Sequence, residues 1–250
     1  MTNKLFRKII GSFGYKLIGK DTIKNERLIS NKSFLKIDKL LNAIFQKKKI
    51  GRLIQIGAND GERFDLLNFY IKKYQCNSLL VEPIKENFER LIVNYKDLDF
   101  IIFENSAISV NNDIQKLYKV SSEYIKNYDN HIPGITSFDK NHLIKHGVKN
   151  RHIISENVSS IKIADLITKH NFNLPDLLFI DAEGYDGKIA IDFLSSTSFK
   201  PIIILEYIHI KNDTFIDLIA ILEKENYLIF SVDENLFCYP IKDKDFIDFN

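Results

Sequence analysis

Acidic side chains recur where apolar runs of this chain end. They are Asp60, Glu82, Asp181 and Glu206, and each run has the length and composition of a buried strand. In open sheets of parallel strands, ligands bind at the carboxyl ends of the strands, beside the switch in strand order. A carboxylate at such an end can accept hydrogen bonds from sugar hydroxyls, bind a cation or remove a proton. One such acid is equally typical of a helix cap or a surface ion pair, but a set at successive strands predicts a common ligand site.

The first of these runs leads into a glycine turn. Residues 53–61 read LIQIGANDG, which predicts a buried strand, a turn and the start of a helix. Glycines at such a turn let the backbone approach a ligand and adopt positive φ. Glu82 follows 21 residues after Gly61, at the end of the next apolar run, where an acid can accept hydrogen bonds from both hydroxyls of a ribose. The two signals together predict a cofactor that contains a nucleoside.

The elements that must position these acids alternate along the chain. A helix at 33–48 is predicted to cover one face of the sheet. Thereafter strands are predicted at 52–57, 78–82, 99–104, 176–181 and 201–206, and helices at 62–74, 84–95, 161–170, 186–194 and 213–225. Two final strands, 226–232 and 235–240, meet at a tight turn, so the last should run antiparallel. This order predicts an α/β fold with a mostly parallel sheet and helices on both faces.

Residues 106–160 interrupt the alternation. The segment is long, polar and without clear periodicity, and we expect it to be irregular. Long insertions in compact domains are usually functional, most often as lids or substrate platforms. We therefore predict a lid or substrate insertion at about 110–160.

Charge is distributed unevenly. Residues 1–50 contain thirteen Lys or Arg and three acids, whereas the whole chain has a net charge of only +2. We predict a basic, helical N-terminal extension over 1–50 and one main domain over 51–250. Residues 1–20 fit a basic amphipathic helix that either contacts an anionic membrane surface or packs on the domain. Cys76 and Cys238 have no metal-ligand or CxxC spacing and are predicted to be free buried thiols in a reducing compartment, and no transmembrane helix is expected.

Six blocks of the sequence, in order, resemble the FkbM family of S-adenosylmethionine-dependent methyltransferases. They are QIGANDG at 55–61, LLVEP at 79–83, ENSAIS at 104–109, GITSFDKNHL at 134–143, LLFIDAEGYD at 177–186 and IILEYIH at 203–209. Many members of that family have an acid at the position of Gln55. The resemblance implies a Rossmann-like class I methyltransferase fold with a seven-stranded sheet. It also implies methylation of hydroxyl groups on sugars, polysaccharides or glycosylated metabolites.

The resemblance also implies roles for individual residues. The methionine part of the cofactor would lie against Gly57, Ala58, Asn59 and Gly61. Glu82 would hold the ribose, and Ser106 and Ala107 would flank the adenine. Asp181 would lie near the sulfonium. The candidates for the base are Asp181, Glu206 and His209, and the residues expected on the acceptor side are Ser137, Phe138, His142, Glu183 and Tyr185.

Three alternatives stay open. Asp181 and Glu206 would be the ligands if a divalent cation took part, although a metal-free site is the preferred prediction. A nucleotide-sugar oxidoreductase is disfavoured because the turn reads GANDG and not GxGxxG. An RNA methyltransferase or nucleic-acid-binding protein is suggested only by the basic N-terminus, and the acidic remainder argues against nucleic acid as a partner. We expect a cytoplasmic protein that acts on a glycan or small molecule, with contact to the inner membrane surface through residues 1–20 as a further option.

Overall fold

Two sheets organise the chain. The structure is a computed structural model that describes residues 36–63, 65–129 and 132–241. The predicted amphipathic helix at 1–20 lies outside these residues. Within them, no helix has both the length and the apolar character needed to cross a membrane. Cys76 and Cys238 are buried and free, as predicted.

The main sheet has seven strands in the order β10-β11-β9-β8-β1-β2-β3. They are β1 (Arg52–Ile56), β2 (Asn77–Val81), β3 (Ile101–Glu104), β8 (Leu177–Ile180), β9 (Ile202–Glu206), β10 (Tyr227–Val232) and β11 (Asn235–Pro240). Strands β3, β2, β1, β8 and β9 are parallel neighbours, and β11 runs antiparallel between β9 and β10. The predicted seven strands and antiparallel final strand are confirmed.

Helices cover both faces of this sheet because side chains alternate along each strand. One face packs against α1 (Ile37–Lys48), α2 (Asn68–Tyr74) and α3 (Lys85–Asn94). The other packs against α5 (Ile163–Lys169), α6 (Asp186–Ser196) and α7 (Asn212–Lys224). Leu53 of β1 belongs to the first core, and Ile54 belongs to the second. The prediction that a helix near 33–48 covers the sheet is confirmed for α1, whereas the domain division at residue 50 stays a prediction.

The insertion is more regular than the sequence suggested. Strands β4 (Ala107–Ile108), β5 (Ile114–Val120), β6 (Thr136–Ser137) and β7 (Ile153–Ile161) form a second sheet in the order β4-β7-β5-β6. With α4 (Lys140–Lys145), it encloses a small apolar core that includes Leu143 and Val148. The expectation of an irregular segment is therefore wrong. Polar residues occur on both faces of β5 and β7, so their alternation was not visible in the sequence.

The helix predicted at 62–74 begins only at Asn68. Asp60 Oδ1 accepts hydrogen bonds from the Glu62 and Arg63 amides, and Asp65 Oδ1 accepts one from the Leu67 amide. Local bonds of this kind hold the backbone in turns and compete with helix formation.

Candidate active site

A cavity of about 470 Å³ opens at the carboxyl ends of β1, β2, β8 and β9, where the strand order switches direction. Hydrogen bonds bring these ends together. The Gly57 amide donates to Val81 O at 3.0 Å, and the Asp181 amide donates to Ile56 O at 3.0 Å. Of the predicted site residues, the wall includes Gly57, Ala58, Asn59, Glu82, Asp181, Glu183, Glu206 and His209. The sequence therefore placed most of its strand-end acids correctly in one cavity.

A second cavity, of about 380 Å³, lies at the opposite end of the sheet, beside Ile50, Asp176 and Ile202. Asp176 Oδ2 already accepts hydrogen bonds from the Gly51 and Arg52 amides, each at 2.9 Å. Because strands begin at this end, it lacks the converging carboxylates of the first cavity, and we place the candidate active site in the first.

The glycine turn after β1 owes its shape to backbone contacts. Gly57 has a φ of 81°, and a Cβ built there would lie 1.9 Å from Asp181 O. The next strand end can approach so closely only because residue 57 has no side chain. At Gly61, with a φ of 70°, a Cβ would lie 2.5 Å from both Leu91 and Tyr95. Gly61 thus allows close helix packing, and it is not part of the cavity wall.

Glu82 organises the part of the cavity wall beside the glycine turn. Its Oε2 accepts a hydrogen bond from the Asn59 amide at 3.0 Å, and its Oε1 accepts one from the Ile84 amide at 2.9 Å. The residue is 4% exposed, and burial raises the pKa of Glu82 to about 7 despite these bonds. The predicted acid thus lies beside the glycine turn, with lone pairs left for a ligand.

Asp60 has a different role from the other strand-end acids. Burial alone would raise the pKa of Asp60, but hydrogen bonds from Arg63 and from the Glu62 amide lower it overall. The Arg63 guanidinium donates to Asp60 Oδ2 at 2.6 Å. Asp60 therefore stabilises the turn and is not in the cavity wall.

Gln55 and Asp65 are neighbours in one part of the cavity wall. Gln55 Nε2 donates to Asp65 Oδ1 at 3.0 Å, which fixes the two side chains against each other. Gln55 Oε1 and Asp65 Oδ2 are buried without a hydrogen-bond partner, and both residues line the cavity. Buried oxygens of this kind are costly unless a ligand or water satisfies them, so this part of the wall suits a ligand with N–H donors.

The turn after β8 exposes two acids and buries a third. Asp186 accepts hydrogen bonds from the Ala182 and Gly184 amides at 3.2 and 3.0 Å, and burial raises the pKa of Asp186 to about 7. This holds Glu183 in a left-handed conformation, with a φ of 50°. The Asp181 side chain is exposed to the cavity. Burial by the surrounding protein, and then the nearby carboxylates of Glu183, Asp186 and Glu206, raise the pKa of Asp181 well above the usual range.

The loop after β9 brings the other candidate bases to the same point. His209 Nε2 lies 3.8 Å from Glu206 Oε1. Burial, followed by the repulsion of Glu183 and other carboxylates, raises the pKa of Glu206 to about 8. Burial and the neighbouring His142 lower the pKa of His209. At neutral pH the imidazole is therefore mainly neutral and able to accept a proton.

The insertion reaches this point through the predicted acceptor-side residues. His142 Nε2 lies 3.0 Å from Glu183 Oε2, and the Ser137 hydroxyl donates to Glu183 O at 3.1 Å. Phe138 packs edge-to-face on Tyr185, with ring centroids 4.9 Å apart. These rings support the turn after β8. Of the predicted acceptor-side residues only Glu183 is in the cavity wall, whereas Ser137, Phe138, His142 and Tyr185 are not.

The residues predicted to flank adenine lie away from the wall. Ser106 is buried, and Ala107 begins β4 and packs with Ile84 and Leu117. The structure therefore does not bring Ser106 and Ala107 into the cavity, and their contact with adenine stays a prediction.

Several wall residues were missed, among them Asp65, Asn87, His146 and Glu234. His146 follows His142 by one helical turn, a spacing that was visible in the sequence. Asp65 lies in a turn that the sequence assigned to a helix, so nothing marked it as part of the site.

The strand order, the antiparallel β11 and the carboxylate-lined cavity define a Rossmann-like class I methyltransferase fold. Residues 55–229 match the Methyltransferase FkbM domain. The chain belongs to the FkbM methyltransferase family, which confirms the resemblance found in the sequence.

The chain is similar to three solved structures of low sequence identity. One is methyltransferase FkbM from Methylobacillus flagellatus, with 17% identity, a TM-score of 0.47 and coverage of 76% of this chain and 44% of the other. This chain thus spans less than half of that protein. Another is a methyltransferase from Geobacter sulfurreducens, with 11% identity, a TM-score of 0.42 and coverage of 92% of this chain and 96% of the other. The third is the SAH-bound Podospora anserina methyltransferase PaMTH1, with 10% identity, a TM-score of 0.43 and coverage of 92% of this chain and 99% of the other. No curated protein matches the chain.

Proposed function

We propose that this chain is an S-adenosylmethionine-dependent O-methyltransferase that methylates a hydroxyl of a sugar, polysaccharide or glycosylated metabolite. The observation that supports this most strongly is that one cavity wall contains two groups of residues. Glu82 and the glycine turn form the group that we call the cofactor end, and Asp181, Glu206 and His209 form the group that we call the acceptor end. A nucleoside cofactor and a hydroxyl acceptor need these two kinds of surface side by side.

The cofactor end fits S-adenosylmethionine in two ways. Glu82 has carboxylate lone pairs for the ribose hydroxyls, and its bonds to the Asn59 and Ile84 amides fix its orientation. Gln55 Oε1 and Asp65 Oδ2 are unpaired acceptors for the methionine ammonium. Asp65 thus supplies a carboxylate beside Gln55, where many family members have an acid. The cofactor supplies an electrophilic methyl group on sulfur, so the protein must provide alignment and a proton acceptor.

Three groups can take the acceptor's hydroxyl proton. His209 is mainly neutral at neutral pH, so its ring can hold a proton. Glu206 has a pKa of about 8, close to the pH at which an enzyme works, which suits proton transfer in either direction. Asp181 lies nearest the cofactor end, beside Gly57. Asp181 would face the transfer centre, and Glu206 and His209 would approach it from the adjacent strand.

The insertion would bind the acceptor. Its β6 and α4 are tied to Glu183 by the Ser137 and His142 side chains, so they form one edge of the cavity. Carboxylates and imidazoles at this edge can hydrogen-bond the hydroxyls of a sugar. The insertion at about 110–160 would thereby act as a lid or substrate platform.

Labelled S-adenosylmethionine and fractionated glycan extracts would test the proposal. We expect label in a glycan or glycoside fraction, recovered as an O-methyl ether by mass analysis. Asp181→Asn should lower transfer by roughly a hundredfold, the usual scale for a lost general base. Label in RNA or in protein, with none in glycans, would contradict the assigned acceptor class.

A further inference from the structure

Five side chains on the acceptor side form a histidine–carboxylate cluster: His142, His146, His209, Glu183 and Glu206. The three imidazole rings have centroids 4.6, 4.6 and 4.9 Å apart. The ring nitrogens of the three histidines lie within 4.8 Å of one another, and so do the ligand atoms of Glu183, Glu206 and His209. His209 belongs to both sets and joins them into one cluster. Asp181 belongs to neither set, so the cation site differs from the Asp181–Glu206 pair that the sequence suggested.

Distant parts of the chain supply these groups. His142 and His146 are one turn apart at the end of α4, and the His146 amide donates to His142 O. Glu183 lies in the turn after β8, whereas Glu206 and His209 lie at and after the end of β9. The insertion and two loops of the main sheet thus converge on one point.

The backbone is shaped to hold Glu183 there. A non-glycine residue at a φ of 50° is strained, and such conformations concentrate at functional sites. Gly184 follows at a φ of 92°, and a Cβ on it would lie 3.1 Å from His209 O. The Asp186 carboxylate accepts hydrogen bonds from the Ala182 and Gly184 amides, and the Ser137 hydroxyl donates one to Glu183 O. The Asp186 carboxylate and the Ser137 hydroxyl therefore help to maintain this turn.

The cluster contains the two kinds of side chain that commonly bind divalent transition-metal ions, imidazole and carboxylate. Neutral imidazole and ionised carboxylate are the forms that bind metal ions. The side chains of His209, Glu206 and Glu183 are each 21% exposed and that of His142 is 10% exposed, so an ion could enter from the cavity.

We propose that His142, His146, His209, Glu183 and Glu206 bind one divalent first-row transition metal ion. Imidazole nitrogens mixed with carboxylate oxygens favour Mn²⁺, Fe²⁺, Co²⁺ or Zn²⁺ over Mg²⁺ and Ca²⁺, which prefer oxygen ligands. Two ligands on one such ion lie at most about 4.2 Å apart, because each bond is ~2.1 Å. The distances of 3.0 Å from His142 to Glu183 and 3.8 Å from His209 to Glu206 satisfy this limit. Within each three-residue set the remaining ligand atoms lie within 4.8 Å of one another.

The role of the ion rests on the proposed function, whereas its binding does not. The cluster borders the acceptor side of the cavity, where an ion would bind acceptor oxygens and lower the pKa of a hydroxyl. His209 and Glu206 would then act as ligands, and Asp181 would be the remaining proton acceptor.

Co²⁺ titration of the untagged full chain, stripped with EDTA and free of S-adenosylmethionine, tests the site. Absorption bands of the bound ion should report one Co²⁺ per chain, and calorimetry should show the same stoichiometry with Zn²⁺. His146→Gln and His209→Gln should each weaken binding by about a hundredfold or more, since even outer-shell changes cost 10–100-fold. His170→Gln is the matched control, because His170 pairs with Glu104 at 2.7 Å outside the cluster and should bind Co²⁺ like the unaltered protein.

Two results would overturn the site: no Co²⁺ bound at millimolar concentration, or equal binding by the unaltered protein and both cluster variants. Equal weakening in the His170 control would also overturn it. Thermal unfolding without metal confirms that each variant is folded. If the His209→Gln protein is not folded, the His146→Gln protein alone tests the site. S-adenosylhomocysteine binding by the same proteins is measured separately, so failure of the metal site is distinguishable from failure of the proposed function.

Discussion

The two ends of the cavity are built in different ways. The proposed cofactor end consists of adjacent turns after β1 and β2, joined by main-chain amides and the Glu82 carboxylate. The proposed acceptor end consists of side chains from the insertion and from the turns after β8 and β9. The first end is thus shaped by backbone geometry within about thirty residues of sequence, and the second by contacts over long sequence separations. The first end should therefore be most sensitive to substitutions that change the backbone, and the second to substitutions that remove a side-chain contact.

Gly57→Ala should have the largest effect on stability. The new Cβ would meet Asp181 O at 1.9 Å at a positive φ, so β1 and β8 would have to separate. We expect the free energy of unfolding in urea to fall by about 3 kcal/mol or more, with loss of cofactor binding. Gly147→Ala, at a φ of 83° in the insertion with nothing within 4 Å of its Cβ, is the matched control and should cost only about 1 kcal/mol. Equal losses would show that the close approach at residue 57 does not matter.

Glu82→Ala should weaken S-adenosylhomocysteine binding by about 1–3 kcal/mol, the scale of lost hydrogen bonds to a charged group. Glu206→Gln, which changes a carboxylate of the acceptor end, should leave that affinity within about twofold. Calorimetry on both variants measures the difference directly. Unchanged affinity in a folded Glu82→Ala protein would exclude its role at the ribose.

The buried carboxylate of Glu82 should make stability fall as the pH rises. Its folded pKa of about 7 lies above its usual value of 4.5, so the folded protein binds more protons between these values. The contribution of this group to the free energy of unfolding is fully present below pH 4.5. It falls by about 1–3 kcal/mol as the pH rises to about 7. Urea unfolding from pH 5 to pH 8 in EDTA measures this loss. Glu82→Gln should flatten the slope, and an unchanged slope would contradict the assignment.

Ser137→Ala should have the smallest effect, because it removes the hydrogen bond that the hydroxyl donates to Glu183 O and a long one that it accepts from the Asp139 amide. We expect a loss of about 0.5–1.5 kcal/mol and faster hydrogen exchange in the turn after β8. Ser196→Ala is the control, since its hydroxyl bonds only Asp192 O within α6 and should not alter that turn. Exchange that is equally slow in both variants would show that Ser137 does not hold the turn.

The sequence predicted the ends of the main-sheet strands better than the insertion, for a physical reason. Apolar runs ending in glycine or acid reveal parallel strands and the edge where they meet, so Gly57, Glu82, Asp181 and Glu206 were placed correctly. The insertion's sheet was missed because β5 and β7 lack clean alternation. His146 was missed as a wall residue because only the fold brings α4 beside His209. Asp65 was missed because the local bonds of Asp60 replace the first turn of the predicted helix.

Calorimetric titration of the full chain with S-adenosylhomocysteine and, separately, with NAD tests the central claim most directly. The account predicts that one S-adenosylhomocysteine binds per chain, because Glu82, Asn59 and the unpaired oxygens of Gln55 and Asp65 match its ribose and ammonium groups. It predicts no measurable binding of NAD, because the turn at 57–61 lacks the glycine spacing that accommodates a pyrophosphate. Binding of NAD without binding of S-adenosylhomocysteine would contradict the account.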